Sequence, residues 1–198
     1  FIEKGVDTRV SLTNRKWLDS SSLVLFVALW IFDVLYIQLE IAGALAGALF
    51  LLHVIRLFDW HTRALWKSPM LWILYLAYSF LVLGFVLKTA SIWLGVSVFL
   101  SVHAFAVGGI GVITLGMMSR VALGHTGRNV FAPPRIMFWV FALAVAGAIV
   151  RVGFPMLMPS MSNSWVGLSQ ALWILAFGVF SWIYTPMLIK ARVDGRYG

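Results

Sequence analysis

Two histidines, His53 and His103, stand inside long apolar runs, and His61 and His125 stand just past the ends of such runs. Neutral imidazole ligates haem iron and other metals, and it also serves as a hydrogen-bonding partner between helices. If the second apolar run starts near residue 41 and the fourth near residue 91, both buried histidines lie roughly 18 Å in, near mid-bilayer. At one depth on parallel helices they could bracket a haem iron, share another metal, or each bond to a neighbouring helix.

His125 follows His103 by 22 positions, roughly 33 Å along a continuous helix, so the two cannot share a metal unless the chain folds back after Gly124. The segment GHTGR reads as a turn in which Gly124 and Gly127 end the helix. Arg120 and Arg128 lie beside it, and arginine binds carboxylates side-on, so this cluster could hold haem propionates or another anion. An ordinary basic loop is the alternative, and His61 after Asp59 reads as the same kind of interfacial residue. Between the histidines, Gly108 and Gly111 share a helical stripe with Ala104 and Leu115. Their missing side chains admit either a flat macrocycle or a packed helix.

Other chemistry-bearing residues cluster at the opposite end of the runs. PMLMPSM brings Met156, Met158 and Met161 together, and thioethers favour Cu(I), although methionine is also a common filler of apolar gaps. Asp33 and Arg151 each sit roughly 8 Å below the same surface, where they could pair or snorkel separately. No phosphate-binding loop, dinucleotide fingerprint, nucleophile elbow or HExxH zinc motif is present.

The elements that must hold these residues are membrane spans. Of 198 residues, 62% are apolar and 11% charged, far from the balance of a soluble domain. The runs are long and do not alternate, which points to helices rather than barrel strands. Candidate spans fall at about 20–38, 41–58, 69–88, 91–118, 134–157 and 164–189, giving an all-α, six-transmembrane-helix up-down bundle. Thirteen of the fifteen basic residues lie at one end: Lys4, Arg9, Arg15, Lys16, Arg56, Arg63, Lys67, Arg120, Arg128, Arg135, Lys190, Arg192 and Arg196. Lys88 and Arg151 are assigned to the other. The positive-inside rule places both termini in the cytoplasm, so the net charge of +8 reflects topology and calls for no nucleic acid. The absence of cysteine excludes covalent c-type haem, iron–sulfur clusters and thiolate metal sites. The chain opens on Phe1 with a polar, basic segment unlike a signal peptide, and is expected to be part of a longer one.

The run HAFAVGGIGVITLGMMSRVALGHTGR, with LLHVIRLFDW and PMLWILYLAYSFLVLG before it and ARVDGRYG after it, resembles the C-terminal half of NnrS proteins. That resemblance covers nearly the whole chain. It implies a bacterial inner-membrane protein containing non-covalent b-type haem and copper, associated with nitric oxide and nitrosative stress. It implies a cofactor region around His103, Arg120, His125 and Arg128, to which the depth estimate adds His53. Members of the family are about twice this length with roughly twelve spans. A missing N-terminal half, with a histidine-rich segment absent here, or a partner subunit is therefore implied. The competing expectations are a transporter or channel for an anion or metal, favoured by broken helices, and a structural half-bundle completed by another subunit.

Overall fold

A computed structural model describes residues 13, 15–35 and 38–195. Among them, six helices are long and apolar enough to cross a membrane. We label them α1 (Lys16–Val34), α2 (Leu39–Trp60), α3 (Pro69–Trp93), α4 (Val98–His125), α5 (Met137–Leu157) and α6 (Ser162–Leu188). Short 3-10 turns, Arg63–Lys67 and Pro159–Met161, lead into α3 and α6. Lys4, Arg9 and Arg196, counted above toward the basic end, lie outside the described residues, as do positions 36 and 37 of the first expected span.

The helices alternate in direction. Arg15 grips Asp59 and Arg56 pairs with Asp19, so the start of α1 meets the end of α2. The backbone N–H of Val193 donates to the Thr126 carbonyl at 3.2 Å, which brings the end of α6 to the end of α4. Both described ends therefore lie at the basic end of the bundle. Neighbouring helices in sequence pack together, and α3 is central, touching α2, α4 and α5.

Lipid is as apolar as the side chains, so helices in a membrane associate through close packing and interhelical hydrogen bonds. Both are present. Ala42 and Ala46 of α2 are fully buried, and the Thr89 hydroxyl of α3 donates to the Gly43 carbonyl at 3.1 Å. Ser169 of α6 donates to the Gly147 carbonyl of α5 at 2.8 Å. The main core gathers Ile73, Val112, Leu115, Met137, Phe141 and Tyr184 from α3 to α6. A second cluster joins Leu29, Leu49 and Phe85.

Two boundaries differ from the sequence expectation in ways that matter. Residues 91–93 end α3 rather than begin α4, because Gly95 takes a left-handed conformation (φ 68°) and turns the chain there. The first span starts at Lys16 instead of residue 20. Within α4, residues Ala104–Gly111 form a π-helical stretch, a local widening often found beside functional residues.

Candidate functional site

A cavity of about 720 Å³ lies between α1 and the face formed by α2, α3 and α4. That volume is within the range of small-molecule and cofactor sites. Its walls are mainly apolar and aromatic, including Phe26, Trp30, Phe85 and Phe105. Two ion pairs close its ends: Asp19 with Arg56 at 2.6 Å, and Asp33 with Lys88 at 2.6 Å. Asp19 and Asp33 are 14 residues apart on one helix, so the slot between the pairs is about 21 Å tall. Asp33 does not pair with Arg151. Because α3 runs on to Trp93, Lys88 sits five residues from its end and meets Asp33, near the end of α1.

His53 is in the wall of this slot, stacked on Phe85 with ring centroids 5.3 Å apart and planes 8° apart. Its Nδ1 lies 2.5 Å from the Tyr78 hydroxyl. Nε2 is the ring nitrogen left for a ligand. A metal-binding imidazole usually has its other nitrogen hydrogen-bonded in this way, which holds the ring orientation, and the tautomer in which Nδ1–H donates to the Tyr78 oxygen is the one that leaves the Nε2 lone pair for a ligand. Tyr78 was missing from the residues singled out in the sequence, where one tyrosine in an aromatic-rich span carries no distinctive signal.

His103 is elsewhere. It lines a separate cavity of about 460 Å³ at the far end of the bundle, with Ser97, Leu100, Pro155, Met156 and Ser162. Helix α3 provides a ruler for depth. Thr89 reaches Gly43 and Tyr75 reaches Leu57, which sets His53 level with Ser79; Gly84 meets Phe105 and Gly116 meets Ile73, which sets His103 level with Val86. The two histidines are therefore about 10 Å apart in depth and open into different cavities. Their expected common depth rested on α4 starting at 91, and its start at Val98 removes it.

The partner of His103 is Arg151. Its Nη2 is 3.3 Å from His103 Nε2, and its Nη1 donates to the Val166 carbonyl at 3.4 Å. Arginine has no acceptor, so Nε2 accepts and the imidazole proton is assigned to Nδ1. A cation against the imidazole is a poor setting for a metal ion. Of the three methionines offered for copper, only Met156 shares this cavity; Met158 and Met161 are exposed in the turn before α6. Among the described residues no group of three or more His, Cys, Asp or Glu side chains is placed to hold a metal. The residues here do not fit copper.

The glycines of α4 serve packing. Phe80 occupies the space over Gly108, Leu81 that over Gly109, and Trp173 comes within 3.2 Å of where a Cβ on Gly111 would stand. The room expected for a macrocycle over Gly108 and Gly111 is thus filled by side chains of α3 and α6.

At the basic end, α4 runs unbroken from His103 to His125, so the two histidines belong to opposite ends of one helix. Gly127 (φ 74°) then closes the helix: Arg128 N–H donates to the Leu123 carbonyl at 2.8 Å and Gly127 N–H to Gly124. This is the glycine-terminated cap that GHTGR suggested. The C-terminal segment locks onto it, with Arg192 donating to the His125 carbonyl at 3.0 Å and gripping Asp194 side-on. Asp194 raises the pKa of Arg192 above its ordinary value through that hydrogen-bonded pair. Arg120 lies over the Phe131 ring, 5.7 Å from its centroid, and Arg128 is half-buried. Neither Arg120, His125 nor Arg128 lines either of the two cavities described above. His61 accepts from the Trp66 indole at 3.4 Å near the end of α2, an interfacial placement.

These features define a class: a multi-pass, all-helical membrane protein with an ion-pair-bounded apolar slot holding one imidazole. The family model described as "NnrS protein" matches residues 1–192, and the chain belongs to that family. Membership marks it as a membrane protein related in general terms to nitric oxide. No curated protein and no solved structure matches the chain.

Proposed function

We propose that this chain is a haem-binding protein of the bacterial inner membrane, acting in the sensing of nitric oxide or in resistance to nitrosative stress. One observation carries the proposal: a single imidazole, His53, stands in the wall of a large apolar slot with Nδ1 fixed by Tyr78. The slot's aromatic walls suit a flat, apolar macrocycle, and His53 Nε2 would be the ligand this chain offers to its iron. Bound haem supplies an iron with affinity for nitric oxide. The chain's own part would be to offer the His53 imidazole, line the slot with Phe26, Trp30, Phe85 and Phe105 against water, and keep its ends closed through the two ion pairs. His103 lines another cavity, so among the described residues His53 is the one imidazole in the slot wall, and nitric oxide or a partner subunit's side chain would have access to the same slot.

A transporter would be favoured by a broken fourth helix. Helix α4 is helical throughout, and its glycines are covered by packed side chains. The test is haem content per chain after purification in detergent with haem supplied, for the wild type, His53→Ala and His103→Ala. His53→Ala is expected to lose most of its haem and His103→Ala to keep it. The reverse pattern, or no haem in the wild type, would overturn the assignment.

A further inference from the structure

Arg151 contrasts with Arg56 and Lys88, two other cations set within the spans. Arg56 and Lys88 each have an aspartate. Arg151, six residues before the end of α5, forms no ion pair among the described residues. An uncompensated charge at that depth costs several kcal/mol, and intramembrane charges of this kind commonly mark ion or substrate sites.

The geometry of its guanidinium says what is missing. Arg15 grips Asp59 through Nε at 2.8 Å and Nη2 at 3.2 Å, and Arg192 grips Asp194 through Nε at 2.9 Å and Nη2 at 2.7 Å. In Arg151 the same edge has no carboxylate. Its Nε is buried with no hydrogen-bond partner, and its Nη2 meets only the lone pair of a neutral imidazole. A buried guanidinium nitrogen left unpaired is costly, and the side-on edge is the one that fits two oxygens of a single anion. His103 lines the 460 Å³ cavity and touches Arg151 Nη2, so it links the cavity wall to that guanidinium, as does Val166, whose carbonyl accepts from Nη1. Ser97 and Ser162 add hydroxyls to the cavity wall.

We infer that the far-end cavity admits a singly charged oxyanion, which His103 turns aside to accept and which Arg151 holds side-on through Nε and Nη2. One guanidinium charge matches one negative charge, and two adjacent donors match a carboxylate, a nitrate-like ion or a phosphodiester headgroup. The site is separate from the slot at His53 and does not depend on haem being there.

The experiment titrates sodium nitrate and sodium formate into the detergent-solubilised chain by calorimetry, and in a second arm measures retention of phosphatidylglycerol by native mass spectrometry. Saturable binding of one free anion per chain, weakened about tenfold or more in Arg151→Gln, is expected. Arg151→Lys keeps the charge but not the fork. It should also bind more weakly, and it replaces the Gln variant if that one does not fold. Lipid retention that depends on Arg151, without free-anion binding, would assign the same site to a headgroup. Absence of both, or equal binding by wild type and Arg151→Gln, would overturn the inference.

Discussion

His53 and His103 share a side chain and differ in what surrounds it. At His53 the neighbours are a hydroxyl and an aromatic face, so the imidazole can stay neutral with one nitrogen committed and one available. At His103 the available lone pair already faces a guanidinium. On the proposed haem-binding reading, that contrast favours His53 over His103 as the ligand and makes Tyr78 the residue that positions it. Removing such an orienting partner typically weakens metal binding about 10- to 100-fold. Tyr78→Phe is therefore expected to lower haem affinity by about tenfold or more while leaving the helical content unchanged. Haem titration followed by absorbance would measure this, and an unchanged affinity would deny Tyr78 a positioning role. The sequence identified both histidines as candidates but not their partners, because Tyr78 and Arg151 lie on other helices at separations that no local spacing rule encodes.

At the scale of elements, composition made the six spans and the basic end legible, since long apolar runs and lysine and arginine placement follow from the cost of burying charge in lipid. The boundary between α3 and α4 was not. TASIWLGVSVFL is apolar almost throughout, and the turn is made by the left-handed Gly95, which hydropathy does not register. That error shifted the expected start of α4 by about two turns and produced the false alignment of His53 with His103. The glycines of α4 were legible as an approach site, though not for which partner. Their partners are Phe80, Leu81 and Trp173, so Gly109→Leu should force α3 and α4 apart. Overpacking of this kind costs about 1–3 kcal/mol. A lower melting temperature in detergent is the expected outcome, and unchanged melting would mean that α4 is not seated on α3 as described.

For the whole molecule, the slot exists because α1 packs mainly on α2 and stands off from α3 and α4, with Asp19 paired to Arg56 of α2 at one end and Asp33 tied across to Lys88 of α3 at the other. Outward residues of α1, including Val24 and Val27, are exposed, as suits a helix bordered by lipid or by further protein. A slot on the flank of a bundle, with one imidazole in its wall, leaves access for a small apolar molecule dissolved in the bilayer. The most direct test of that arrangement is the absorption spectrum of the haem-loaded chain, reduced with and without nitric oxide. A haem band that shifts on adding nitric oxide, and that is absent in His53→Ala, is the predicted result. A band that nitric oxide leaves unmoved would mean that both axial positions are filled, and a band retained in His53→Ala would remove His53 as the ligand.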